Sequence, residues 1–248
     1  MRATAIEYKH RYLVHGLIYT LGFAAPWHLP VWAFLRNEST WFLVTDGVTK
    51  PTFENFAPLW NSLCGVALAF AVGGALLRTW GAAYLGASTV HQGGMEGDRV
   101  IANGPYRYLR NPLYLGTILN TVALSLLMRP EAAVLTIILI TVVQFRLIAR
   151  EEPYLLQQRG AAYDAYASQV PRLLPRFTPA ATAANAKPNW QQGVLSEIYV
   201  IGVAISFGVL GWTRGFAWEA SVWHVMQGII VALGVSVVAR AFIPKSQM

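Results

Sequence analysis

Apolar residues in this 248-residue chain gather into six long runs, covering residues 12–35, 59–77, 113–128, 132–149, 198–212 and 221–243. A helix rises about 1.5 Å per residue, so about 20 residues, with about 17 to 25 tolerated, carry it across a bilayer. The first, second, fourth and sixth runs reach that length. The third and fifth are shorter and cross only with flanking aromatics or tilt. Pro26 and Pro30 lie inside the first run, which is therefore kinked or ends early. The pattern predicts an all-α fold: a polytopic membrane helical bundle of about six transmembrane helices.

Composition agrees. Hydrophobic residues make up 55% of the chain and charged residues only 12%, against about 25% charged in soluble domains. Mean hydropathy is +0.41. The single cysteine, Cys64, sits within an apolar run, reads as a small core residue, and leaves no disulfide framework or cysteine-based metal site. The N-terminus does not read as a signal peptide, because Glu7 and Lys9 precede an apolar run too long for one.

Charge adds an orientation. If the N-terminus is cytoplasmic and all six runs span, only Arg36, Lys50, Arg129 and Arg214 of the 19 Lys and Arg fall outside. That is a strong positive-inside bias. The basic pI of about 9.7 then calls for anionic lipid and anionic ligands, and for no nucleic acid.

The polar segments divide the chain. Residues 1–58 form a first transmembrane segment with an outer loop, and 59–176 form a core of three transmembrane helices with polar segments. Residues 177–197, rich in Ala, Thr and Pro near 178–188, read as a linker, and 198–248 form a C-terminal transmembrane hairpin. Only Arg129, Pro130 and Glu131 separate the third and fourth runs, which predicts a tight helical hairpin. Residues 151–169 read as a further helix. Two polar stretches, 91–112 and 146–176, fall on the expected cytoplasmic side, where a soluble cofactor would be met.

The stretch from Asn103 to Gly116 carries the densest chemistry. Asn103-Gly104-Pro105 reads as a turn. Asn111-Pro112 reads as a helix start, with asparagine as the cap and proline at the first helical position. The N–H groups of that helix end suit an anion. Tyr106, Tyr108 and Tyr114 offer flat rings for an adenine or a sulfonium. An interfacial tether of aromatics and arginines at headgroup level accounts for the same residues.

Gly104, Tyr106, Arg110, Asn111, Pro112, Tyr114 and Gly116 together resemble the G-x-Y-x-x-x-R-[HN]-P-x-Y-x-G signature of the isoprenylcysteine carboxyl methyltransferase and phospholipid methyltransferase superfamily. A second block, Glu151-Glu152, Gly160, Tyr163, Tyr166, Val170-Pro171-Arg172 and Pro175, is similar to that family's ending, and the resemblance covers about residues 59–176. It implies a membrane enzyme that uses S-adenosylmethionine at a cytoplasmic cofactor pocket. It further implies cofactor contacts from Val100, Ile101, Tyr106, Asn111, Pro112, Leu113, Tyr114 and Glu151, with His91 near another polar contact. Asn111 stands where the carboxyl methyltransferase branch has histidine. The family's arginine four residues before the first glutamate corresponds to Leu147, with Arg146 one position earlier.

Transfer of a methyl group from a sulfonium needs alignment and exclusion of water more than covalent help. A carboxylate acceptor is already ionised; an amine needs a proton acceptor nearby. Catalytic roles fall to Arg146 and Glu151. Arg146 and Arg150, four apart on one helix face, repel unless an anion lies between them. They are candidates for the substrate's carboxylate or phosphate, or for the cofactor's carboxylate, with snorkelling to lipid phosphate as the plainer account. Tyr163 and Tyr166 read as packing residues. His15, His28 and His224 have no ligand-like spacing, so no metal is expected. The acceptor would be a lipophilic small molecule or lipidated substrate reaching the site from the bilayer. Two other classes fit the pattern less well: a sterol-reductase-like oxidoreductase using a nicotinamide cofactor, and a non-enzymatic transporter or scaffold. Transport sites lie near the bilayer midplane, whereas the polar residues here cluster at helix ends.

Overall fold

The computed structural model describes residues 2–24, 39–49, 53–85, 102–182, 186–213 and 218–241. His91, Val100 and Ile101, as well as His28, lie outside them. Among the described residues all regular structure is helical. In chain order the helices are α1 (Ala5–Lys9), α2 (Arg11–Ala24), α3 (Thr40–Thr49), α4 (Phe53–Leu85), α5 (Pro112–Ser125), α6 (Pro130–Arg159), α7 (Ala161–Gln169), α8 (Trp190–Ser196), α9 (Ile198–Thr213) and α10 (Trp218–Ala241), with a single 3₁₀ turn at Gly104–Arg107.

Each of the six apolar runs carries a helix, but among the described residues two or three spans are long and apolar enough to cross. Pro58–Leu85 of α4 and Pro130–Arg159, the whole of α6, are each long and apolar enough to cross a membrane. A third is reached if α8 and α9, bent by 70° at their junction, act as one span. Helix α5 stops after 14 residues because the chain must turn into the α5–α6 hairpin. Helix α6 does not end with its apolar run. It continues through Pro153 to Arg159 and breaks at Gly160, whose φ of 52° favours glycine. Residues 190–196, within the stretch read as a linker, are helical.

Small residues set the helix crossings. A Cβ on Gly74 of α4 would lie 2.7 Å from the Gly116 carbonyl oxygen of α5. Without hydrophobic driving force between helices in lipid, such close backbone approach is how spans associate. Gly202 and Gly228 bring α9 against α10 in the same way, onto Ala232 and Ser206. The largest buried cluster, including Trp41, Trp60, Ala67, Ala71, Leu124, Leu127 and Phe207, joins α3, α4, α5 and α9. Trp41 stacks on Trp60 at 4.8 Å, and Cys64 is buried there as expected. Leu135, Ile138, Val142 and Phe145 of α6 point outward, as do Leu13, Leu17 and Leu21 of α2. Outward apolar faces of this kind suit lipid, not water.

Candidate functional site

The segment before α5 is folded onto the end of α4. Gly104 has φ +52°, and any side chain there would strike Trp80 and Tyr84. This is a position where glycine is required twice over, by backbone conformation and by close approach. Tyr106 is buried beneath it, and its hydroxyl donates to the Gly81 carbonyl at 3.5 Å. Trp80 and Tyr108 rings lie 5.9 Å apart. Tyr106 is thus walled in by protein, and burial pushes its phenol well above its ordinary range.

Asn111 occupies the cap position of α5, with Pro112 at the first helical position, as the sequence predicts. Its side chain makes no cap bond, however. The amide instead donates to the Arg172 carbonyl at 3.0 Å and to Glu152 Oε1 at 3.3 Å. Those bonds make Asn111, at the cap position of α5, also a bridge between the two motif blocks.

Glu152 is the hub of that bridge. Arg172 grips it through Nη2 at 2.6 Å and Nε at 3.0 Å, and Arg110 Nη1 lies 3.5 Å away. The Glu152 bond raises the Arg172 pKa. Main chain bonds continue the seam: Arg110 N–H to Pro171 O at 2.8 Å and Arg176 N–H to Tyr108 O at 3.1 Å. Tyr166 donates to the Tyr106 carbonyl at 2.8 Å, and Tyr163 is buried. Burial, followed by the negative charge of Glu152, pushes the Tyr163 phenol up to about 12.

Glu151, the neighbouring residue, faces a different group. Tyr8 of α1 donates its hydroxyl to Glu151 Oε1 at 2.6 Å, and Tyr114 of α5 also reaches this carboxylate. Tyr8, Tyr114, Leu147 and Ala3 pack together. Burial and then the Glu151 charge hold the Tyr8 phenol above its normal range. Arg146 donates through Nη2 to both Glu7 oxygens, at 2.8 and 3.0 Å. Arg150 donates to the Ala3 carbonyl at 3.1 Å and lies 5.7 Å from the Tyr8 ring centroid. The anion expected beside Arg146 is therefore present within the chain itself, as Glu7. Backbone bonding from Thr4, followed by Arg146, lowers the Glu7 pKa.

The first turn of α5 thus joins two groups of side chains at one end of the bundle. Asn111 meets Glu152 and Arg172, while Tyr114, three residues on, meets Glu151 and Tyr8. Sequence reasoning singled out Glu151 and missed Glu152, Arg110, Arg172 and Tyr8. The signal was present for three of these, since Arg110, Glu152 and Arg172 all stand inside the quoted blocks. Tyr8 gave none, being separated from Glu151 by 143 positions.

The fold and site define a helical membrane protein whose polar residues converge where α4 and α6 end and α5 begins. Residues 62–161, less than half of the chain, match the model of the phospholipid methyltransferase family. The match takes in the whole of the first motif block and Glu151, Glu152 and Gly160 of the second, in agreement with the resemblance read there. No curated protein and no solved structure gives a match.

Proposed function

We propose that the protein is an integral membrane methyltransferase that moves a methyl group from S-adenosylmethionine to a lipophilic acceptor, an isoprenylcysteine-type carboxylate or a lipid amine. The observation that carries this reading is the interlocking of the motif blocks through Asn111, Glu152 and Arg172. Residues of a mere interfacial tether would have no reason to be cross-braced over about forty positions of sequence.

The residues fit such a cofactor by their chemistry. S-adenosylmethionine, when bound, supplies a methyl group on a sulfonium already activated for transfer. Among the described residues Arg110 Nε is buried without an acceptor, a donor suited to the cofactor's carboxylate. Glu151 now takes the Tyr8 hydroxyl and would exchange it for the cofactor's ammonium. Tyr106, Asn111, Pro112, Leu113 and Tyr114 build the wall between them, with Val100 and Ile101 assigned to the same wall by the resemblance alone. Arg146 and Arg150 receive the acceptor's anionic group in place of Glu7 and the Ala3 carbonyl. Glu151 also stands as the proton acceptor if the acceptor is an amine. We place the site and both termini on the cytoplasmic side and read all six runs as spans, on the bias of Lys and Arg.

The family match favours methyl transfer over the nicotinamide-dependent alternative. Purified protein in nanodiscs, given S-adenosylmethionine labelled in its methyl group, should transfer label to a lipid extract or to a prenylcysteine analogue. Binding of a nicotinamide cofactor with no binding of S-adenosylmethionine would reverse the assignment.

A further inference from the structure

One buried ion pair has no part in the chemistry above. Arg78 of α4 and Glu197, at the α8–α9 bend, are both almost fully shielded. Arg78 Nε donates to Glu197 Oε2 at 2.7 Å and Nη2 to Oε1 at 3.0 Å. The remaining arm, Nη1, donates to Thr117 Oγ1 at 2.6 Å and to the Leu113 carbonyl at 3.2 Å. Tyr199 lies beneath, with its ring centroid 5.5 Å from the guanidinium carbon. One planar group therefore ties together α4, the first turns of α5, and the start of α9. The Arg78 stem also fills the space beside Gly116, where a Cβ would stand 2.6 Å from Arg78 Cγ.

Ionisable residues within apolar spans are costly, and a buried pair is weak as a source of stability. The best-attested use of such a pair is to fix one arrangement against others. The arrangement fixed here is that of α5 at Leu113, adjacent to the cap residue Asn111 and to Tyr114. Glu197 lies outside the family-matched segment 62–161, at the end of the stretch read as a linker. That part docks on the same end of α4: Asn189 N–H bonds the Ala83 carbonyl at 2.7 Å, and Gly193 packs on Thr79 and Ala83. The adjoining α4 residues Trp80, Gly81 and Tyr84 are the ones that hold Gly104, Tyr106 and Pro112.

We propose that Arg78 is a positioning residue for the first turn of α5 and that Glu197 holds its guanidinium, so the C-terminal unit completes the cofactor site. The proposal rests on the methyltransferase reading. The test is equilibrium binding of S-adenosylmethionine to full-length protein in nanodiscs, with thermal unfolding measured in parallel. Wild-type protein that binds none rejects the methyltransferase reading before any variant is compared. Given wild-type binding, three variants follow. The Arg78→Met/Glu197→Gln double variant removes both charges together and avoids leaving one unpaired. Arg78→Lys keeps a cation opposite Glu197 but loses the fork that also reaches Leu113 and Thr117. Thr117→Val is nearly isosteric and leaves the ion pair in place.

Affinity should fall about tenfold in the double variant and in Arg78→Lys, and about threefold in Thr117→Val, at temperatures well below each unfolding midpoint. A purely structural pair would shift the midpoints and leave affinity of the folded protein alone. Affinity within twofold of wild type in Arg78→Lys and Thr117→Val overturns the proposal, whether or not the double variant folds.

Discussion

Tyr8 donates its hydroxyl to Glu151 Oε1 at 2.6 Å, so the first short helix of the chain closes over the end of α6. The contact is one of several from the same stretch, since Ala3 N–H bonds the Arg146 carbonyl at 3.0 Å and Glu7 bonds its side chain. The N-terminal residues lie outside the family-matched segment yet touch Arg146, Arg150 and Glu151 of α6. Removing the hydroxyl with Tyr8→Phe takes one partner from a carboxylate. A loss of about 1–2 kcal/mol in stability is expected, read from a lowered unfolding midpoint.

The Glu152 hub should be less tolerant. Glu152→Gln leaves Arg172 and Arg110 without their shared counter-charge and should cost about 2–3 kcal/mol, along with cofactor binding. Arg172 is half exposed, so Arg172→Ala should cost only about 1 kcal/mol. Equal losses in the two variants would mean that Glu152 is not the centre of the network. Thermal unfolding of both, in one nanodisc preparation, makes the comparison.

Acid should loosen the N-terminal stretch. The Glu7 carboxyl is held below its usual range, chiefly by the Thr4 backbone N–H and then by Arg146. A depressed carboxyl contributes stability that is full above its unfolded pKa and is lost as pH falls through the folded one. Protection of the amides of residues 2–9, referred to the intrinsic exchange rate at each pH, should therefore fall below about pH 4. In Glu7→Gln the same amides should exchange faster at neutral pH and show no further acid step.

The crossing of α4 and α5 should reject any added volume. Gly116→Ala places a methyl against Arg78 Cγ and the Gly74 carbonyl, at 2.6 and 2.8 Å before relaxation. The cost should be about 1–3 kcal/mol, as for other overpacked contacts. Gly65→Ala on α4, with no atom within 4 Å of the new methyl, is the control and should not lower the midpoint.

How far these arrangements could be read from sequence follows from what each depends on. Helix locations depend on apolar runs, and each run carries a helix. Helix ends depend on local competition, so residues 151–169 read as helical while the join was misplaced: 151–159 continues α6 and the break falls at Gly160. Asn111-Pro112 located the start of α5, since those two residue types act locally. What the Asn111 side chain does was not legible, because its partners lie about forty and sixty positions away on α6 and beyond α7. Arg78 with Glu197 and Tyr8 with Glu151 were hidden for the same reason: each is a long-range pairing of residues that look ordinary in their own neighbourhoods. A partner for Arg146 was foreseen in kind, but Glu7, its partner here, is 139 positions away in the chain, and Arg150 turns instead to the Ala3 carbonyl.

The central question is whether the residues at the start of α5 hold S-adenosylmethionine. The direct measurement is titration calorimetry of S-adenosylmethionine into full-length protein in nanodiscs, repeated with Asn111→Ala. Saturable one-to-one binding, displaced by S-adenosylhomocysteine and weakened at least about tenfold in a folded Asn111→Ala variant, is the predicted result. Folded wild-type protein that takes up no S-adenosylmethionine, or an Asn111→Ala variant that binds it as tightly as wild type, would contradict the account.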